Sequence, residues 1–176
     1  MRYGWVRAAA VAALLATAAC QKANAPATDV AAAENEKAGA DFLARNAKAE
    51  GVVTLPSGVQ YKVVRSGPPG GESPDNNDLV RVEYEGALLD GTVFDSSYER
   101  GQPAVFGLDA VVPGWTDALQ HMRVGDEWYI YIPGKLGYGE QSSGEIPPNS
   151  VLTFRVKLLD IARTPGGGKA IATAMG

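Results

Sequence analysis

Apolar and polar residues alternate strictly from Leu152 to Leu158, where Leu152, Phe154, Val156 and Leu158 are separated by Thr153, Arg155 and Lys157. A period of two sets the apolar side chains on one face of an extended strand, and a helix would scatter them around its circumference. The same period recurs in Leu79-Val-Arg-Val-Glu-Tyr-Glu85, with Val80, Val82 and Tyr84 on one side. Arg81, Glu83 and Glu85 lie on the other, so the two glutamates read as a solvated face rather than a catalytic carboxylate pair. Val59-Gln-Tyr-Lys-Val-Val64 and Trp128-Tyr-Ile-Tyr-Ile132 are two further strands. Leu88-Leu-Asp-Gly-Thr-Val-Phe94 reads as a hairpin closed on Asp-Gly.

Only one helical spacing interrupts this pattern within the β region. From Gly114 to Met122, Trp115, Ala118, Leu119 and Met122 fall on one helical face. The expected architecture is α+β: a half-open antiparallel β-sheet wrapped around one short α-helix. The 21 glycines and 11 prolines of the 176-residue chain suit such a turn-rich fold.

The N-terminal third follows other rules. Met1 to Arg7 is basic, Ala8-Ala-Ala-Val-Ala-Ala-Leu-Leu-Ala16 is apolar, and small residues then end at Cys20. This is the pattern of a bacterial export signal over residues 1–19, too short to be a comfortable bilayer span. Thr17-Ala18-Ala19-Cys20 resembles the lipobox of bacterial lipoproteins, with Thr17 where leucine is usual. Lipidation of Cys20 is therefore expected, and the alternative is an ordinary secretory signal cleaved near Ala19. Gln21 rather than aspartate after the cysteine favours the outer membrane over the inner one, by resemblance to enterobacterial sorting. Residues 20–33 read as a flexible tether and residues 34–50 as a short helix, with Gly39 against it and Gly51 ending it. That helix is either solvated alone or packed on something else. Residues 51–163 form the domain, and residues 164–176, containing Pro165-Gly-Gly-Gly-Lys169, read as a disordered tail.

The familiar catalytic inventories are empty. One cysteine and one histidine leave no intramolecular disulfide, no Cys/His zinc site and no second histidine for a relay. His121, near the end of the short helix, suits a capping or dipole role. Asp75-Asn-Asn-Asp78 lacks the glycine and terminal glutamate of a calcium loop. A net charge of −4 without a basic patch gives no footprint for nucleic acid. No metal and no cofactor is expected. What remains is a concentration of aromatics and small turns, which by itself indicates no enzyme but is compatible with a reaction that needs no acid or base, such as rotation about a prolyl bond. Its barrier of about 18–20 kcal/mol comes from amide resonance. A pocket that binds the twisted amide better than the planar one lowers that barrier without nucleophile or metal.

The residues themselves carry a resemblance. Val82-Glu-Tyr84-Glu-Gly86, Gly91-Thr-Val-Phe94-Asp95-Ser-Ser97, Val111-Val-Pro-Gly-Trp115, Leu136-Gly-Tyr138-Gly139 and Ile146-Pro-Pro-Asn-Ser-Val-Leu-Thr-Phe154 stand in order and at fitting spacing. Together they resemble the signature blocks of FKBP-type peptidyl-prolyl cis/trans isomerases, and the stretch Phe42 to Tyr61 is similar to the helix-to-domain junction of the Mip/FkpA-like periplasmic branch. The resemblance implies an FKBP-like fold in which Trp115 floors a proline pocket walled by Tyr84, Phe94, Val111, Val112 and Phe154. It implies Asp95 at the rim, within hydrogen-bonding reach of Tyr84. It also implies that the Tyr138 hydroxyl and the Ile146 backbone N–H hold substrate carbonyls.

The partners so implied are unfolded exported proteins with Xaa-Pro bonds and macrolide inhibitors, with the membrane reached through Cys20. A chaperone or adaptor using the same pocket is the alternative. Relatives of that branch commonly dimerise through a long helical arm; residues 34–50 are too short for one, so a monomer is favoured. Ala104 falls where the family often has a bulky aromatic wall, and the loop from Gly139 to Glu145 is short and polar. An open rim, altered sequence preference and weaker macrolide binding are expected.

Overall fold

The computed structural model describes residues 27–166. The export signal, Cys20 and the first part of the tether lie outside the described residues, as do residues 167–176 of the tail. In chain order the elements are helix α1 (Ala27–Asn46), strands β1 (Val52–Thr54), β2 (Gln60–Arg65), β3 (Leu79–Ala87), β4 (Val93–Ser96) and β5 (Ala104–Gly107). Helix α2 (Pro113–Leu119) and strands β6 (Glu127–Ile132) and β7 (Leu152–Ala162) complete them.

The seven strands form one antiparallel sheet in the order β1-β2-β6-β7-β3-β4, with β5 pairing the first half of β3. The expected α+β architecture is the observed one. The alternation that marked β3 and β7 puts Val80, Val82, Tyr84, Leu152, Phe154, Val156 and Leu158 on one buried face. Ile130 and Ile132 of β6 join them, and α2 covers the face with Trp115, Ala118 and Leu119. Burying a side chain of this size contributes about 1.5–3 kcal/mol, so this face supplies the bulk of the stabilisation. Helix α2 opens on Pro113, whose fixed backbone angle suits a first helical position. It ends at Leu119, short of the expected Met122, because three-residue hydrogen bonds from His121 and Met122 tighten its last turn.

The N-terminal elements differ from expectation. Helix α1 begins at Ala27, inside the stretch read as tether, and ends at Asn46 rather than at residue 50. The alanines of Ala31-Ala-Ala33 lack a polar side chain that competes for the backbone, so they extend the helix. Nor is α1 solvated alone. Gly39 is buried against Val151, where an added Cβ would stand 2.7 Å from Val151 Cγ2. Phe42 meets the Tyr131 ring at 5.7 Å, and the Gln60 amide nitrogen donates to the Leu43 carbonyl at 2.9 Å. The apparent helix-breaker is thus the residue that lets the helix touch the domain.

The chain end also departs from the reading. Thr164 donates its N–H to Asp78 Oδ1 at 2.9 Å, and Arg163 pairs with Asp78 Oδ2 at 2.7 Å. Asp78 is only 1 % exposed, and hydrogen bonds answer its charge. The first tail residue is therefore fastened to the domain.

Candidate functional site

Between α2 and the strands lies a cavity of about 280 Å³ lined by Tyr84, Phe94, Asp95, Phe106, Ala110, Val111, Val112, Trp115, Tyr138 and Phe154. It is smaller than the roughly 300–1,000 Å³ of pockets for drug-sized ligands, and suits a single ring-sized side chain. Trp115 and Tyr84, each at 3 % exposure, are its most buried walls. Three rings meet Trp115 edge-on: Tyr84 at 5.3 Å, Phe106 at 5.5 Å and Phe154 at 5.3 Å. Phe94 meets Phe154 edge-on at 5.6 Å. Such pairs contribute about 0.5–1.5 kcal/mol each beyond their burial, so the walls hold one another in place. The indole nitrogen of Trp115 is buried without a hydrogen-bond partner among the described residues.

One corner is polar. The Tyr84 hydroxyl donates to Asp95 Oδ2, while Arg100 Nη1 donates to Asp95 Oδ1. Arg100 Nη2 donates to the Tyr84 oxygen at 2.9 Å, closing a ring of three groups. The guanidinium also lies 5.4 Å from the centre of the Tyr84 ring. Burial, together with the bond to Asp95, pushes the Tyr84 hydroxyl up to about 12 despite the opposing Arg100. At Asp95, burial works the other way from its partners. The hydrogen bonds from Tyr84 and Arg100 and the Arg100 charge outweigh it and hold the carboxyl below its usual range. The corner is therefore a neutral tyrosine, an anionic carboxylate and its counter-ion: it orders the wall and offers no proton near neutrality.

All the expected pocket residues converge here except Ile146. Ile146 is buried in the core, and its N–H donates to Ser143 O at 2.9 Å within a tight turn. That hydrogen is already committed, so it is not a free donor for a substrate. Val112, at the pocket wall just before α2, has an N–H without a hydrogen-bond partner among the described residues. The Tyr138 side chain reaches the pocket while remaining 42 % exposed.

Sequence reasoning missed Phe106 and Arg100. Phe106 sits two residues beyond Ala104 on β5, hence on the same face, and supplies an aromatic wall. The run Ala104-Val-Phe106 between Pro103 and Gly107 was a short strand signal. Arg100 reaches back across the turn that follows β4, and its signal was a cation five residues from a rim carboxylate.

Comparison with known proteins agrees with this geometry. The family model for the FKBP-type peptidyl-prolyl cis-trans isomerase matches residues 70–159, and the one for the domain amino terminal to it matches residues 7–63. The FKBP-type peptidyl-prolyl cis-trans isomerase FkpA of Aeromonas hydrophila is 49% identical over 140 residues, 80% of this chain and 52% of that protein. The outer membrane protein MIP of Legionella longbeachae is 45% identical over 133 residues, 75% of this chain and 56% of that one. The crystal structure of FkpA from Escherichia coli superposes with a TM-score of 0.74 at 43% identity, covering 78% of this chain and 64% of that chain. The chain spans about half the length of the curated relatives it matches.

Proposed function

As a member of the FKBP-type peptidyl-prolyl cis-trans isomerase family, the chain, we propose, accelerates rotation about Xaa-Pro bonds in unfolded or partly folded exported proteins. The observation that carries this is the ring-sized aromatic cavity with a proton-silent polar corner. The proline ring enters against Trp115, between Phe94, Phe106 and Phe154. A planar amide has the larger dipole and loses more hydration on entering apolar walls than a twisted one does. Binding therefore favours the twisted state and lowers the barrier. The Tyr138 hydroxyl and the Val112 N–H hold the flanking carbonyls and fix the turn of the bound chain. Asp95 positions Tyr84 and faces the rotating carbonyl. Uncatalysed rotation takes tens to hundreds of seconds, which leaves room for a catalyst in folding.

A protease-coupled isomerase assay on the purified protein, with and without a macrolide such as rapamycin, tests the reading. Catalysis above background, lowered by Tyr138→Phe and by Asp95→Ala, supports it. A rate no better than background, with unfolded chains still bound, would replace it with a holding role.

The export signal and Cys20 support delivery to the bacterial periplasm and lipid anchoring there, with the outer membrane preferred. Cys20→Ser should move the protein from the membrane to the soluble fraction; unchanged partitioning would overturn the anchor. Helix α1 spends its Gly39–Leu43 side on its own domain, which supports a tethered monomer. A dimer in sedimentation of the unlipidated protein would contradict it.

A further inference from the structure

Tyr138 is the most exposed pocket group with a role in substrate binding, and no hydrogen bond pins its side chain among the described residues. Its placement depends on the backbone turn that carries it. That turn follows a 3-10 segment, Gly134–Leu136, and the Gly139 N–H donates back to Gly134 O at 2.9 Å. The turn is then tied to Asn149, whose N–H donates to Gly139 O at 2.6 Å. The two backbones also touch: a Cβ at Gly134 would stand 2.6 Å from the Asn149 carbonyl oxygen. Asn149 itself has φ +56, the one non-glycine residue described with a left-handed backbone, a conformation that asparagine tolerates.

Helix α1 grips this same segment. Asn35 Nδ2 of the helix donates to the Pro148 carbonyl at 3.0 Å, and Asn149 Nδ2 donates in return to the Ala32 carbonyl at 3.3 Å. Gly39, one turn along the helix, lies against Val151 and allows the close approach. We propose that this reciprocal asparagine clamp makes α1 a strut for the active site, with Asn35 and Asn149 as positioning residues that set Tyr138 through the Asn149–Gly139 hydrogen bond. The inference rests on the isomerase reading for its consequence in catalysis, though the clamp itself is a matter of geometry. Displacing a substrate-holding group by about 1 Å is enough to lower turnover, even when the change is far from the reacting bond.

Two substitutions probe the two halves of the clamp. Asn35→Asp is isosteric but presents only acceptors to the Pro148 carbonyl. Asn149→Gly keeps the left-handed backbone and removes the side-chain bond to α1. Each is made in the purified protein with Tyr138 present and again with Tyr138→Phe, and amide hydrogen exchange at Gly139 and Asn149 is measured by NMR. Both variants should speed exchange at those amides. They should lower kcat/KM by about threefold to tenfold, within the range for coupled neighbours, and should cost nothing further in the Tyr138→Phe background. Unaltered exchange overturns the clamp. An equal loss in both backgrounds overturns its route through Tyr138. An inactive unsubstituted protein would sink the isomerase reading instead, and the exchange rates would still decide for or against the clamp.

Discussion

Replacing Gly86 with alanine puts one methyl group between two walls of the pocket. Gly86 lies on β3 opposite Asp95 on one side and Phe154 on the other. The new Cβ would stand 2.7 Å from Phe154 Cε1, 2.7 Å from Phe94 Cζ and 2.8 Å from Phe94 Cε2. Carbon atoms settle at about 3.5–4.0 Å, so the rings must retreat by about 1 Å. Phe154 is only 6 % exposed and is wedged against Trp115, so it has little room. Phe94 is half-buried and can swing towards solvent, giving up its edge-on contact with Phe154. Overpacking costs about 1–3 kcal/mol, and the escape route for Phe94 puts Gly86→Ala near the lower end. The melting temperature should then fall by only about 3–5 °C. Activity should suffer more, because the swung-out ring leaves one side of the proline site open to water. A tenfold loss of kcat/KM corresponds to about 1.4 kcal/mol of transition-state binding, comparable to one aromatic wall contact. Calorimetry and the isomerase assay on one preparation separate the two effects. Full activity with an unchanged melting temperature would rule out the steric conflict at Phe94, and so would strong destabilisation with undiminished activity of the folded fraction.

Other perturbations address the polar corner. Arg100 and Asp95 are each 43 % exposed and screened by solvent, so Arg100→Ala should leave the urea midpoint almost unchanged. Its kcat/KM should nevertheless fall several-fold, and Arg100→Lys should recover only part, since one ammonium cannot bond Asp95 and Tyr84 in the same planar fork; full recovery would contradict the fork. The Tyr84 hydroxyl is raised to about 12, so its contribution to stability is complete below pH 10 and is lost as pH rises towards 12. Burial raises Tyr98 and Tyr131 as well, so ultraviolet titration should show several late tyrosines, of which Tyr84→Phe removes one. Asp95 shifts the other way: its contribution is present above about pH 4 and is lost as the pH falls further, so activity should stay level through neutrality.

Much of this was legible along the chain because β3 and β7 each bury one face. An alternation such as Val80, Val82, Tyr84 then has only one reading, and it carries Tyr84 and Phe154 into the pocket. Trp115 was legible for the corresponding reason on α2. The existence of helix α1 was legible but its docking on the domain was not, since the contact rests on Gly39, Asn35, Phe42 and the Leu43 carbonyl rather than on an apolar stripe. The length of α1 was also hidden, because an alanine-rich run suits a tether as well as a helix. Ile146 failed because the fate of one N–H depends on the turn at Ser143, a detail of backbone angles that residue types do not carry. Phe106 was overlooked on a strand only four residues long. Arg100 was overlooked because its partners become neighbours only once the chain turns back after β4.

The central claim is that prolyl rotation is accelerated in the cavity above Trp115. It is tested most directly by NMR exchange spectroscopy on an Xaa-Pro peptide. Cis and trans resonances are followed with the unsubstituted protein and with Trp115→Ala, Phe106→Ala and Tyr138→Phe. Exchange should run far faster than the uncatalysed rate and be reduced by each substitution in a protein that remains folded. Exchange at the uncatalysed rate, or catalysis indifferent to all three side chains, would contradict the claim.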